Sequence, residues 1–300
     1  LRLGTLVLSV PNSYGGGTRI GGGTLEFVSG GLGSGAITVS GSGALRFGAS
    51  NTEDLSSRMT VLAGARIALD TNGNDLVFAS SLALAGSASL AKWGSGKLTL
   101  LGAGSYTGGA FLDGGTLELA NASALGTGNI RFGGGTLRYG SGITTDLSPR
   151  IAALSSGQVA RVDVGTSSVT FASALSGSGG LWKGGAGRLT LSAANQFPGG
   201  VTLAQGSLIL SNDGFSGSAI GALGTGLLTL AGGTLDSTVV SGALTASVDQ
   251  IWAGDLRFIG SQSLQMGSGA ITLSGGSRTL EIVAQTLTLG GSISDGGAGY

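Results

Sequence analysis

The side chains that usually carry chemistry are scarce in this chain, and two kinds are missing. It has no histidine and no cysteine. A Ser-His-Asp or Cys-His constellation, an imidazole metal site and a disulfide are therefore excluded. No serine has glycine both two positions before and two after it, so there is no nucleophile elbow. No glycine-rich loop runs into Gly-Lys-Ser/Thr to cradle a phosphate. Gly30-Gly31-Leu32-Gly33-Ser34 starts like a calcium-binding nonapeptide, but Gly35 follows where an aspartate ligand is needed.

Carboxylates and indoles remain. Asp70-Thr71-Asn72-Gly73-Asn74-Asp75 gathers oxygen-bearing side chains and reads as a loop that would hold calcium weakly; its copy, Asp163-Val164-Gly165-Thr166-Ser167-Ser168, has lost the ligands. A polysaccharide hydrolase needs acids clustered on one face, and Asp70 and Asp163 stand a whole repeat apart. Asp54 with Arg58, and Asp146 with Arg150, read as corner ion pairs. Trp93, Trp182 and Trp252 could line a glycan surface, but Trp93 and Trp182 flank a recurring lysine and read first as corner residues. No catalytic residue, metal ligand set or cofactor is assigned, and the chain reads as a non-enzyme.

The elements that carry these residues are short strands. Apolar and polar residues alternate in Leu98-Thr99-Leu100, Leu117-Glu118-Leu119, Leu189-Thr190-Leu191, Val201-Thr202-Leu203 and Ile271-Thr272-Leu273, the period of a strand with one face inward. Glycine, 62 of 300 residues, punctuates them, and a hydrophobic content of 41% argues against a disordered linker. Residues 53–65 read as an irregular corner. Basic and acidic residues balance at 15 each, which leaves no basic stripe for nucleic acid and no patch for anionic lipid. No apolar run reaches the ~18 residues of a membrane helix, and the first residues do not read as a signal peptide.

The strands recur. Leu6 to Leu25, Leu98 to Leu117 and Leu189 to Leu208 are each 19 residues, and Leu25 to Leu45 and Leu117 to Leu137 are 20. Such a spacing is one turn of a β-solenoid. A longer period of 91 or 92 residues overlays it: Tyr14, Tyr106 and Phe197 correspond, and Asp54-Leu55-Ser56-Ser57-Arg58 returns as Asp146-Leu147-Ser148-Pro149-Arg150. The competing architecture is an antiparallel sandwich or barrel. Its two-residue hairpin signals are few, chiefly Asn72-Gly73 and Asp213-Gly214. The expected fold is all-β, a right-handed parallel β-helix of about 13 coils forming one segment over residues 1–300, with repeat units of about 1–91, 92–182 and 183–300. The third copy departs from the pattern. Leu208 to Leu235 takes 27 residues, with the excess in 211–220, and a coil is gained over about 247–269. Asn212, Asp213 and Phe215 in the first insertion are the expected partner-contact loop, since an exposed aromatic there would anchor a partner.

The motifs resemble the autotransporter-associated β-strand repeat. Its pattern stands here as Lys92-Trp93-Gly94-Ser95-Gly96-Lys97-Leu98-Thr99-Leu100, Tyr106-Thr107-Gly108-Gly109, Gly115-Thr116-Leu117-Glu118-Leu119 and Ala124-Leu125-Gly126-Thr127-Gly128. A further copy begins at Lys183. Gly104 stands for the usual Asn, Phe197 for Tyr and Ser207 for Thr. The resemblance implies a passenger region exported by type V secretion and exposed at the bacterial cell surface, anchored at or released from the outer membrane. Its expected work is adhesion to a host or neighbouring cell or self-association, with an inert spacer as the alternative and a polysaccharide-acting enzyme disfavoured. Nucleic acid is not an expected partner, and the membrane is reached only through a C-terminal barrel outside these residues. A chain without cysteine suits export in an unfolded state. The motif running at Gly296–Tyr300 is incomplete, and the chain is expected to be part of something longer.

Overall fold

The computed structural model describes residues 4–195, 198–212, 221–239 and 247–299. The strands are parallel and wind as a β-solenoid of about 13 turns. Among the described residues the only helical elements are two 3-10 turns, Ser56–Arg58 and Ser148–Arg150. The chain divides into two compact units, Leu1–Ile143 and Thr144–Tyr300.

In the first unit one sheet stacks Thr5–Leu8, Thr18–Phe27, Ile37–Phe47, Arg66–Asp70, Ser89–Trp93, Ala110–Leu112 and Ile130–Phe132. A second set of ladders runs through Leu76–Phe78, Lys97–Leu100, Thr116–Leu119 and Thr136–Tyr139. The registers are those that the leucine spacing predicts. Leu6 pairs with Leu25 and Leu25 with Leu45; Leu98 pairs with Leu117 and Leu117 with Leu137. Each ladder keeps one row of side chains inward. Leu45, Leu69, Leu98, Leu112 and Leu117 are all buried, and each buried leucine stabilises the unit by roughly 1.5–3 kcal/mol. Phe27 and Phe47 pack with ring centroids 4.9 Å apart, and Phe78 follows at 6.4 Å from Phe47.

One sequence expectation is corrected here. Residues 53–65 are more regular than a loose corner: the 3-10 turn Ser56–Arg58 leads into the strand Met59–Val61, which pairs with Ile37–Val39. Met59 and Val61 are buried and Thr60 is exposed, so the strand has the usual alternation.

The second unit repeats the plan. One sheet stacks Val159–Asp163, Gly180–Gly184, Val201–Leu203, Leu228–Leu230, Gln250–Trp252, Ile271–Leu273 and Ile293–Ser294. The other stacks Ser168–Phe171, Arg188–Leu191, Ser207–Leu210, Gly233–Ser237, Leu256–Phe258 and Leu280–Ile282. Leu208 pairs with Leu235, so the longer connection leaves the ladder in phase. The expected extra coil is present: Gln250–Trp252 and Leu256–Phe258 each have a parallel partner on both sides.

Candidate functional site

The chemistry of the chain concentrates at the corner between the two sheets, and its main participant is a residue that sequence reasoning left as a motif letter. Strand Ser89–Trp93 alternates, with Leu90 inward and Ala91 outward. Lys92 therefore falls on the inward row, between Leu69 and Leu112. Lys183 falls between Val162 and Leu203 in the second unit. Both are buried, 1% and 0% exposed. The methylene stem continues the aliphatic row while the ammonium reaches the corner. Lys92 Nζ donates to Thr71 Oγ1 (2.9 Å) and to the carbonyls of Trp93 (2.7 Å), Gly94 (2.9 Å) and Gly114 (3.2 Å). Lys183 Nζ donates to the carbonyls of Gly185 (2.6 Å), Gly187 (2.7 Å) and Gln205 (2.7 Å).

The glycines of this motif follow from the same geometry. Gly94 and Gly185 have φ of +75° and +77°, and a Cβ on either would lie 2.3 Å from Oδ1 of Asp70 or Asp163. Gly115 and Gly206 lie over the ammonium, where a Cβ would come within 2.8 and 2.6 Å of the lysine Nζ. Burial pulls both ammonium groups down from 10.5 to about 8, against Asp70 and Asp75 for Lys92 and Asp163 for Lys183, which hold them up. An ammonium ringed by carbonyls and closed to solvent is a staple between successive coils, with no access for a substrate.

The loop from Asp70 to Asp75 uses its oxygens within the fold. Asp70 Oδ1 accepts from Asn72 N (2.9 Å), and Asp75 Oδ1 accepts from Lys97 N (2.8 Å) in the next coil. Asn72 and Asn74 donate to the carbonyls of Phe47 and Gly48 in the preceding coil. The degenerate copy keeps one of these bonds, Gly165 N to Asp163 Oδ1 (2.8 Å). The first of the two expected corner ion pairs, Asp54 with Arg58, is also corrected. Arg58 pairs with Glu53 at 3.1 Å, not with Asp54, and its guanidinium donates to the carbonyls of Leu32, Gly33 and Gly35 one coil back. Asp54 instead accepts from Ser56 N (2.8 Å) and, one coil forward, from Ala79 N (2.9 Å). Asp146 does the same with Ser148 N (2.8 Å) and Ala172 N (3.1 Å).

Of the expected partner-contact loop, Asp213 and Phe215 lie outside the described residues. Asn212 is half-buried, and its backbone carbonyl accepts from Ala222 N at 3.3 Å. Among the tryptophans, Trp252 is buried with its indole N–H on Gln250 Oε1 (3.0 Å). Trp93 is 38% exposed and faces outward beside the corner.

Trp93 lines a depression of about 270 Å³ with Thr24, Ser42, Ala44, Arg66 and Ala68. Its floor belongs to an outward row in which Ala44, Ala68, Ala91 and Phe111 follow one another in register. The three alanines are buried although they face out. Asp113 Oδ2 receives both Trp93 Nε1 (2.8 Å) and Arg66 Nη2 (3.0 Å), while the Arg66 guanidinium lies 3.9 Å over the Phe111 ring. Composition gave no sign of this arrangement. Its signal is the alignment of three alanines, visible only once the register is known.

Residues 3–27, 90–119 and 181–210 match the passenger-associated-transport-repeat. This chain carries that repeat three times. The chain is also 34% identical, over 145 residues, to the adhesin BmaC autotransporter of Brucella suis biovar 1 (strain 1330). The matched stretch is 47% of this chain and 4% of that protein. No solved structure gives a significant match. Each of the two later passenger-associated transport repeats contains the buried lysine and its glycine corner. The repeat's asparagine has a position of its own: Asn12 Nδ2 donates to the carbonyls of Val10 (3.1 Å) and Gly31 (2.8 Å), and Asn195 Nδ2 likewise to those of Ala193 and Ala222. The middle repeat has Gly104 there, and a Cβ on it would lie 2.6 Å from the Ala124 carbonyl oxygen.

Proposed function

We propose that this chain is a non-enzymatic, adhesive stretch of an autotransporter passenger, displayed on the bacterial surface. The observation that carries this reading is the threefold passenger-associated transport repeat on a parallel solenoid. The likeness to a protein named as an adhesin supports it. The use of polar groups inside the fold points the same way. The carboxylates of Asp54, Asp70, Asp75 and Asp146 hold backbone N–H groups of their own turn or the next coil, and both buried lysines are saturated by carbonyls. Among the described residues no three Asp or Glu side chains gather as a metal site would require. The outward rows, such as Thr99, Glu118 and Arg138 in the first unit and Thr202 and Thr229 in the second, are left for contact.

The test is to fuse residues 1–300 to a heterologous outer-membrane barrel in a non-adherent laboratory bacterium. Antibody labelling of intact cells should report surface exposure, and adherence to cultured cells should rise several-fold over the barrel alone. Labelled cells whose adherence does not rise would leave the chain as a spacer and sink the adhesive reading. Mass growing with concentration in light scattering of the purified chain, with no gain in cell binding, would assign the contact to self-association instead.

A further inference from the structure

The depression beside Trp93 combines four features that together select a ligand. First, its floor is shallow and small-sided, being made of Ala44 and Ala68 between Gly43 and Thr24. At about 270 Å³ it lies below the ~300–1,000 Å³ of pockets for drug-sized ligands, which suits one ring rather than a chain of them. Second, the indole N–H of Trp93 is held by Asp113, so what Trp93 offers an incoming molecule is its carbon surface, in a fixed orientation. Third, Arg66 Nη2 is bonded to the same carboxylate oxygen and its guanidinium lies over the Phe111 ring, so the second wall is fixed as well. Fourth, the Arg66 charge is already balanced by Asp113 at 3.0 Å, so a second carboxylate there would meet repulsion. A saturated ring with C–H faces, rimmed by hydroxyl oxygens and carrying no charge, answers all four. We propose that this depression binds a single neutral pyranose ring, the terminal or branch sugar of a surface glycan, against Trp93 and Arg66.

The second unit supplies a contrast within the same molecule. Its corresponding outward row runs Arg161, Trp182, Thr202 and Thr229. Arg161 stacks on the Trp182 ring at 4.3 Å. Bulky side chains stand where the first unit has alanines, so the inference is confined to the first unit. It deepens the adhesive reading and rests on it for its biological setting. Its test uses purified protein and is decided apart from whether cells adhere.

Methyl β-glucopyranoside and methyl β-galactopyranoside are titrated into the purified 300-residue chain, with binding read by saturation-transfer NMR and tryptophan fluorescence. Saturable binding is expected with Kd on the order of 1–10 mM, in keeping with a dozen ligand atoms of ordinary efficiency. Trp93→Ala should weaken it at least tenfold. Ala68→Leu, which fills the floor, should do the same and keeps the test open should Trp93→Ala fail to fold. Trp182→Phe should leave it unchanged. Absence of saturable binding of both glycosides at tens of millimolar would overturn the proposal, as would binding that survives Ala68→Leu. A methyl glucuronide that binds more tightly than the neutral glycosides would overturn the charge argument and with it the neutral ligand.

Discussion

Lysine is among the costliest residues to bury alone, yet Lys92 and Lys183 sit on rows of leucine and valine. The carbonyls of the glycine corner explain why they are tolerated. A tight corner between two parallel ladders leaves backbone oxygens pointing into the bend, and each must find a donor. One ammonium answers three carbonyls and a threonine hydroxyl at Lys92, and three carbonyls at Lys183. Bonds from a charged donor contribute roughly 1.5–3 kcal/mol each, and they offset part of the desolvation that pulls the ammonium down to about 8. Lys92→Met keeps the apolar stem and removes the donor, so it should cost about 2–4 kcal/mol in urea denaturation at neutral pH; Lys183→Met should cost a similar amount. A variant as stable as the parent would refute the staple. The lysines also set a pH dependence. Their folded pKa of about 8 lies below the ordinary 10.5, so between these values the unfolded chain holds protons that the folded chain has released. Stability should therefore rise with pH from about 8 towards 10.5, and the gain is lost as pH falls through about 8. The urea midpoint should be higher at about pH 9.5 than at about pH 7.5. That rise should shrink in either Met variant and vanish in the double variant.

At the scale of the element, the coil-to-coil connections show what sequence reading reached and where it stopped. Asp54 and Arg58 are four residues apart, the spacing of an ion pair on a helix. The chain there makes only one 3-10 turn before entering a strand, so the two side chains diverge. Arg58 reaches back to the corner at Leu32–Gly35, and Asp54 reaches forward to Ala79. Asp54→Ala and Asp146→Ala should each cost about 1–2 kcal/mol, since each loses a turn cap and a coil-to-coil bond. Glu53→Gln keeps one oxygen for Gly30 N (3.0 Å) and loses the charge that faces Arg58, so it should cost about 1 kcal/mol. Matched urea denaturation curves check both statements. The inward leucines were legible because a dry row admits few residue types and their 19- or 20-residue recurrence fixes the register. The strand Met59–Val61 was hidden by the polar residues that precede it. The buried lysines were hidden because charge reads as exposure, although Leu90 and Lys92 share one phase of the alternation. The depression was beyond reach from sequence because Ala44, Ala68 and Ala91 come together only across three coils, at spacings of 24 and 23 residues.

At the scale of the molecule, a solenoid turn touches its neighbours in sequence and little else, so stability is close to a sum of coils and the interfaces between them. Such an architecture should tolerate loss of a whole coil and fail on loss of part of one. Leu98 pairs with Leu117, 19 residues on. Excising residues 98–116 would join Lys97 to Leu117 and restore the order Lys-Leu-x-Leu. The strand would then face Leu76–Phe78 on one side and Thr136–Tyr139 on the other, in the registers it already has. Lys92 would meet Phe132 in place of Leu112; Gly114 and Gly115 would leave with the excised coil, and Gly134 and Gly135, their equivalents one coil on, would take their places over the ammonium. Excising only residues 107–116 removes the strand Ala110–Leu112, and with it Leu112 from the inward row, while leaving Leu98 and Leu117 in place, so the remaining coils cannot stack in phase. The first deletion should keep a β-type circular dichroism spectrum and a cooperative, somewhat lower melting transition. The second should broaden or abolish that transition. If both deletions melted alike, coils could not be the independent units of this fold, and the stacking that places the lysines, the aspartates and the depression would need another explanation.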